Sequence, residues 1–476
     1  MRHYGERAGT RTTDVMGAIR ARVASRALVP GDRLPSIRGF AAMMGVSPST
    51  VVTAYDRLAA EGLIRARPGS GFYVSFNALS PLTLLDHAPE HDRAIDPLWV
   101  SRQSLDADPR ALKPGCGWLP PDWLPTEALR RACRALARAD DAVLSDYGVT
   151  RGSLVLRRML SSRFADEGLD LAPEQLMLTA SGTQAIDLIC RFLLRPGDTV
   201  LVDDPCYFNF SAILRAHRAT IISVPYTPTG PDLGRFEEVV SNERPLLYIT
   251  NSAIHNPTGA TLSASVAHRL LNIAATHSMT VVEDDIFGDF DPEASVRLAA
   301  LDGLHRVIRI GSFSKTLSAS MRCGYIAARP DWIEDLVDLQ VATSFSGPSP
   351  VATEAIAHVL SGGGYRKHMD ELRRRLAQAL HDTAAKLQRT GIEPWLMPRG
   401  GFFLWCRLPA GCDSAQVARA ALDENVVLAP GNAFSAAQTA GAFMRFNVAQ
   451  CGDPRVWPVL ARALARSATE REIPTG

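Results

Sequence analysis

Only four lysines occur in the chain, Lys113, Lys315, Lys367 and Lys386, so chemistry that needs an amine to condense with a carbonyl must use one of them. Lys113 precedes a proline in a loop-like stretch, and Lys367 and Lys386 sit among Arg, Asp and His on expected exposed helix faces. Lys315 differs: it lies in GSFSKTLSASMRCGY, just beyond the apolar run 307–310, with Ser312 and other hydroxyl residues around it and Arg322 seven positions on. Those neighbours suit a phosphate held beside an aldehyde that the amine captures. SGTQ, residues 181–184, opens a helical run, where the backbone N–H groups of Gly182 and Thr183 can cradle phosphate. Asp284 follows the apolar run 280–282 and can pair with a protonated ring nitrogen, although the adjacent Asp285 leaves that choice open by one position. Asn256, in HNPTG, can donate to a phenolate oxygen; Tyr207, after Asp204-Pro205, offers a ring to stack. Arg445, in MRFN, has the fork that holds a carboxylate, or it serves structure. Together these types fit a cofactor with an aldehyde, a phosphate and a pyridine ring.

Such side chains need strand ends and helix starts to hold them. Strand-like runs at 199–202, 221–224, 246–250, 280–282, 307–310 and 324–327 alternate with helical segments such as 183–194, 263–277 and 331–341. That alternation predicts a mostly parallel α/β sheet covered on both faces. From about 350 a long charged helix, 365–388, precedes a strand-like run at 401–407 and a last helix, which predicts a small C-terminal α+β subdomain.

The first 75 residues are of another kind. They hold eleven Arg and no Lys against five Asp or Glu, a net +6 in a chain whose formal net charge is only +1, and this points to a polyanionic partner. Val15, Ile19 and Val23 recur every four positions; a second helix is capped by Ser36 and broken by Gly45, and a third starts at Ser47-Pro48 and buries Val51, Ala54, Tyr55 and Leu58. A hairpin over 63–74 with the glycine-rich tip PGSG follows, so the segment reads as a winged helix-turn-helix. Ser47, Ser49 and Thr50 stand at the start of the helix that enters the major groove, while Arg38 and the backbone of Gly69 are placed to touch phosphate or the minor groove.

The expected domains are a DNA-binding head over 10–76, a linker over 77–110 and a large domain over 111–476. With 46% hydrophobic and 21% charged residues the chain is an ordinary globular protein, not a disordered one. No run of eighteen apolar residues and no signal peptide is visible, so a cytoplasmic protein without membrane contact is expected. The eight cysteines lack CxxC spacing, which argues against a metal site.

LPSIR (34–38), GVSPSTV (45–51), AYDRLAAEGLI (54–64) and GSGFYV (69–74) resemble the GntR family of winged-helix regulators, which implies DNA contacts by Arg38, Ser47, Ser49, Thr50 and Gly69. Pro48 and Val52 stand where some relatives carry arginines. From about 112 to 448 the motifs, in their order, resemble the fold-type I, class I aminotransferases that use pyridoxal 5'-phosphate. That resemblance implies that Lys315 forms the Schiff base, Asp284 faces the ring nitrogen, Asn256 faces O3' and Tyr207 stacks. Ser181, Gly182, Thr183, Ser312 and Arg322 would bind phosphate, Arg445 the substrate α-carboxylate, and Tyr147, in YGVTRG, the phosphate of a partner subunit. Phe287 stands where many of these enzymes place a tyrosine. The fusion resembles the MocR subfamily of transcription regulators, which implies a homodimer whose cofactor, or an amino compound joined to it as an aldimine, alters binding to a double-stranded DNA operator. A functional aminotransferase with an accessory DNA-binding domain is the alternative, and a cofactor-free dimeriser a third.

Overall fold

The computed structural model describes residues 11–24, 28, 31–67, 70–75, 97–293 and 295–469, which fall into two units, one within 1–91 and the other within 92–476. In the first unit, α1 (Arg11–Ala24), α2 (Ile37–Met44) and α3 (Pro48–Ala60) pack around Val15, Ile19, Phe40, Val51, Tyr55 and Leu58. Local chemistry sets their ends. Ser36 accepts from the Gly39 N–H at 3.1 Å to start α2, and Gly45, at φ 62°, closes it in the left-handed region that favours glycine. Ser47 caps α3 with Pro48 next to it, where the missing N–H costs nothing. Strands β1 (Ile64–Arg67) and β2 (Gly71–Val74) pair antiparallel from Ile64↔Val74 to Arg67↔Gly71, completing the winged helix-turn-helix.

The second unit is built on β3 (Leu176–Thr179), β4 (Thr199–Asp204), β5 (Thr220–Thr227), β6 (Gly230–Pro231), β7 (Leu247–Thr250), β8 (Thr280–Asp284), β9 (Val307–Ser312) and β10 (Gly324–Ala327). They form one sheet in the order β3-β10-β9-β8-β7-β4-β5-β6. The strands from β9 to β5 run parallel, and β10 is antiparallel to both its neighbours. β7 and β9 are buried along their whole length, as strands covered on two faces must be. The six strands expected from sequence are present; β3, four residues long, is an addition that periodicity cannot register. A second, antiparallel sheet has β11 (Glu393–Pro394), β12 (Phe403–Arg407), β13 (Ala429–Pro430) and β14 (Phe443–Asn447) in the order β11-β12-β14-β13, flanked by the helices Gly364–Gln388, Ser414–Leu422 and Val456–Thr469. This is the small α+β subdomain.

One expectation needs correction. The stretch taken as linker to residue 110 is helical over Pro97–Asp106, and its Val100 is buried in the core of the second unit. Its inward face mixes Val100 with Ser104, so no apolar period announces it. No helix among the described residues is long and apolar enough to cross a membrane.

Leu58 is wholly buried under α1, so Leu58→Ala should cost about 2–5 kcal/mol. Amide exchange in α1 to α3 measures it; a loss below about 1 kcal/mol would contradict this packing.

Candidate functional site

A cavity of about 270 Å3 lies where β4, β7, β8 and β9 end, the place at which open α/β sheets hold ligands. One end is suited to an anion. Ser181 caps the helix Gly182–Leu193 by accepting from the Gln184 N–H at 3.0 Å, and Gly182 and Thr183 present the helix start to the cavity. Ser312 and Ser314, whose hydroxyls lie 2.8 Å apart, line the same end with Arg322, a non-glycine residue at φ 46°. Gly324 permits this approach: a Cβ there would sit 2.9 Å from the Gly182 nitrogen.

Deeper in, Asp284 is buried and accepts from the Ile286 N–H at 3.1 Å; burial pushes its carboxyl up to about 7. The adjacent Asp285 points elsewhere, as alternation along an extended segment requires. It pairs with Arg297 at 2.8 Å and Arg309 at 2.5 Å; burial alone would raise its pKa, but those guanidiniums outweigh it and hold it below the carboxylate range. Of the two neighbours, Asp284 lines the cavity and Asp285 does not.

Lys315 follows β9, and its Nζ donates to the Gly117 carbonyl at 2.6 Å. Burial, and then the Arg445 charge, lower its pKa to about 8. Arg445, on β14, donates to Asn256 Oδ1 at 2.9 Å and to the Gly115 carbonyl at 2.8 Å, and its guanidinium lies 4.0 Å from the Phe403 ring centre. No carboxylate pairs with it among the described residues, its Nε is buried without a hydrogen-bond partner, and burial lowers its pKa to about 10. Tyr207 completes the wall beside Phe208 and Phe210. Thus Ser181, Gly182, Thr183, Tyr207, Asn256, Asp284, Ser312, Lys315, Arg322 and Arg445, scattered over more than half of the sequence, share one cavity. Tyr147 is not among them: it lies 71% exposed with its ring 4.8 Å from that of Phe345.

Sequence reasoning missed two parts of the wall. One is the helix Pro97–Asp106, which contributes Val100, Ser101, Ser104 and Leu105; the other is Gly117-Trp118. The glycine pair in PGCGW was the available signal, since Gly115 packs against the backbone of Leu428 and Ala429 where a Cβ would come within 2.4 Å.

In the head, Ser47 Oγ accepts from the Thr50 N–H and lies 2.8 Å from both Ser49 Oγ and Thr50 Oγ1, so the three expected hydroxyls form one cluster at the start of α3. Arg38 is exposed on the first turn of α2. Gly69 lies outside the described residues.

Residues 121–464 match the family of class I and II aminotransferases, and residues 11–74 match the gntR family of bacterial regulatory proteins. An uncharacterized HTH-type transcriptional regulator of Escherichia coli, YdcR, is 30% identical over 90% of this chain and 93% of its own length. The 2-aminoadipate transaminase of Thermus thermophilus is 30% identical over 67% of this chain and 81% of its own. Among solved structures, the α-aminoadipate aminotransferase LysN of Thermus thermophilus, complexed with N-(5'-phosphopyridoxyl)-L-leucine, superposes with a TM-score of 0.70 at 28% identity, covering 78% of this chain and 95% of that one.

Because the Lys315 amine is protonated below about pH 8 and neutral above it, its reductive labelling by a small aldehyde should rise through pH 8 and then level off. A midpoint at the ordinary lysine value of 10.5 would contradict the burial described.

Proposed function

The chain belongs to the class I and II aminotransferase family and joins to that body a gntR-type DNA-binding head, the MocR-type architecture, and from this premise we propose that it is a transcription regulator that senses pyridoxal 5'-phosphate, or an amine joined to it, through Lys315. The observation that carries the reading is a cavity in which the lysine with the lowered pKa, a buried carboxyl and an anion cradle converge. The residues fit the cofactor. Gly182, Thr183, Ser312 and Arg322 would hold its phosphate, Tyr207 would lie against its ring and Asn256 would face the ring oxygen. Asp284 would ionise opposite a protonated ring nitrogen, which offsets the burial that otherwise holds its pKa near 7. When bound, the cofactor supplies an aldehyde that condenses with primary amines and a ring that withdraws electrons.

The chain's own residues do the rest. Lys315 needs its amine neutral to react, and burial, with the neighbouring Arg445 charge, lowers the pH at which it becomes so to about 8. Arg445 would take an incoming carboxylate, which would give its unpartnered Nε and uncompensated charge a counter-ion. Chain continuity supports coupling to the head: the helix Pro97–Asp106 and the Gly115–Trp118 loop, both in the wall, belong to the first described stretch that follows the head in sequence. In the head, Arg38, Ser47, Ser49, Thr50 and Gly69 would contact duplex DNA. The exposed apolar side chains Leu144, Tyr147, Phe345 and Val351, of which Tyr147 and Phe345 meet ring to ring, support a homodimer, in which Tyr147 would reach the partner's phosphate site. Such a regulator works in the cytoplasm, where its operator is.

A working aminotransferase with an accessory head is favoured by one observation, the completeness of the cavity's polar set, because a trap and a catalyst share it. The two separate in a titration of a duplex operator, with and without the amine, run beside a keto-acid assay. The regulator reading expects operator affinity to change about 5 to 150-fold, the usual range of coupling between sites. Rapid keto-acid production at unchanged operator affinity would favour the enzyme.

Lys315→Ala should keep basal operator binding and lose the response to amine. Loss of basal binding in a folded variant would count against a sensor separate from the reader. With its net +6, the head should lose duplex affinity steeply as salt rises, by a slope of about 0.9 per phosphate neutralised.

A further inference from the structure

The side of α3 that is not packed into the head forms one stripe: Pro48, Ser49, Val52, Thr53 and Asp56 are exposed, at the spacing i, i+1, i+4, i+5, i+8. In a winged helix-turn-helix the first turns of this helix meet the base edges in the major groove. Residues 48–55 carry no charge and no side-chain amide; Asp56 comes after them, and the helix's only cation, Arg57, stands in its last turn. The hydroxyls are tied to their own turn. Thr53 Oγ1 donates to the Ser49 carbonyl at 3.0 Å, and Ser49 Oγ lies 2.8 Å from Ser47 Oγ. What remains of the stripe is apolar: Pro48 and Val52, one turn apart on the same side, with Val52 38% exposed. The cations sit on other elements, Arg38 on α2 and Arg65 and Arg67 on β1, all of them exposed.

Each base shows the major groove its own edge. Guanine presents only acceptors, which an arginine or lysine reads; adenine is read by Asn or Gln; thymine adds a C5 methyl that an apolar group matches. The first turns of α3 hold a partner for the last of these edges and not for the other two. We propose that α3 recognises its operator half-site through thymine methyl groups, received by Pro48 and Val52, and that it reads no guanine. This rests on the reading above that the head contacts duplex DNA. Affinity then comes from arginines that meet phosphates whatever the sequence, and the choice of site from a surface without charge. At Pro48 and Val52, where some relatives carry arginines, the chain exchanges a guanine reader for a methyl reader.

The test selects binding sites for the full chain from a random duplex pool, then replaces each thymine of the enriched site in turn by deoxyuridine, which lacks only the C5 methyl. At one or more thymines of each half-site the loss of affinity should be about 4-fold, the worth of one buried methyl-sized group. Val52→Ala changes an exposed side chain, so the fold is kept; its penalty for deoxyuridine at the same thymine should shrink below about 2-fold, a coupling that the four combinations of protein and site isolate. Val52→Thr, which trades one methyl for a hydroxyl, serves the same comparison and should fall between the two. Val52→Arg, taken through the same selection, should enrich guanine at that step by about 5 to 150-fold. A selected site without thymine, or deoxyuridine that costs nothing at every thymine, overturns the proposal. So does a penalty as large in Val52→Ala and Val52→Thr as in the native chain, and so does a Val52→Arg variant that selects the native site. In each of those cases specific duplex binding stands. If no sequence is enriched over the random pool at moderate salt, the DNA reading itself fails and takes this inference with it.

Discussion

Two cations lean on the carbonyls of one loop. Lys315 donates to Gly117 and Arg445 to Gly115, and neither has an ion-pair partner among the described residues. Sinking two positive charges without carboxylates is unfavourable, so the loop that receives them has to be held firmly. It is: the Asn447 side chain donates to the carbonyls of Cys116 at 2.9 Å and Trp118 at 2.7 Å, the Asn447 N–H to that of Pro114, and the Gly115 N–H to Val427 at 2.8 Å. The small antiparallel sheet therefore fixes the acceptors while the large parallel sheet brings the lysine to them. The cavity forms where the two meet.

The opposite side of the strand ends is managed differently. Arg309, wholly buried on β9, pairs with Asp285 and Glu167 at 2.5 Å each and lies 4.2 Å from the Phe164 ring centre, while Arg297 adds a second guanidinium on Asp285. There the charges are matched and closed off. One residue away Asp284 pairs with no guanidinium among the described residues; burial pushes its carboxyl up to about 7, and it remains available to a ligand. The contrast between a cluster of paired charges and a cavity of unpaired ones separates scaffold from site.

Much of this was legible in the amino-acid sequence because the informative residues follow strands. Lys315, Asp284, Asn256 and Tyr207 each come just after an apolar run, and the caps Ser36, Ser47 and Ser181 each sit before a helical one. The choice between Asp284 and Asp285 was not legible, since a strand end places neighbours on opposite faces and sequence does not say which face is empty. Nor was the helix Pro97–Asp106, whose buried Val100 and Ser104 make no apolar stripe. Tyr147 was singled out through resemblance alone, and it lies exposed outside the cavity.

The central claim is that this cavity captures a carbonyl compound at one amine. Borohydride reduction of the chain after loading with pyridoxal phosphate, followed by peptide mapping, tests it most directly. The account requires the reduced pyridoxyl group on the peptide that carries Lys315. Its appearance on Lys113, Lys367 or Lys386, or on no lysine at all, would contradict the account.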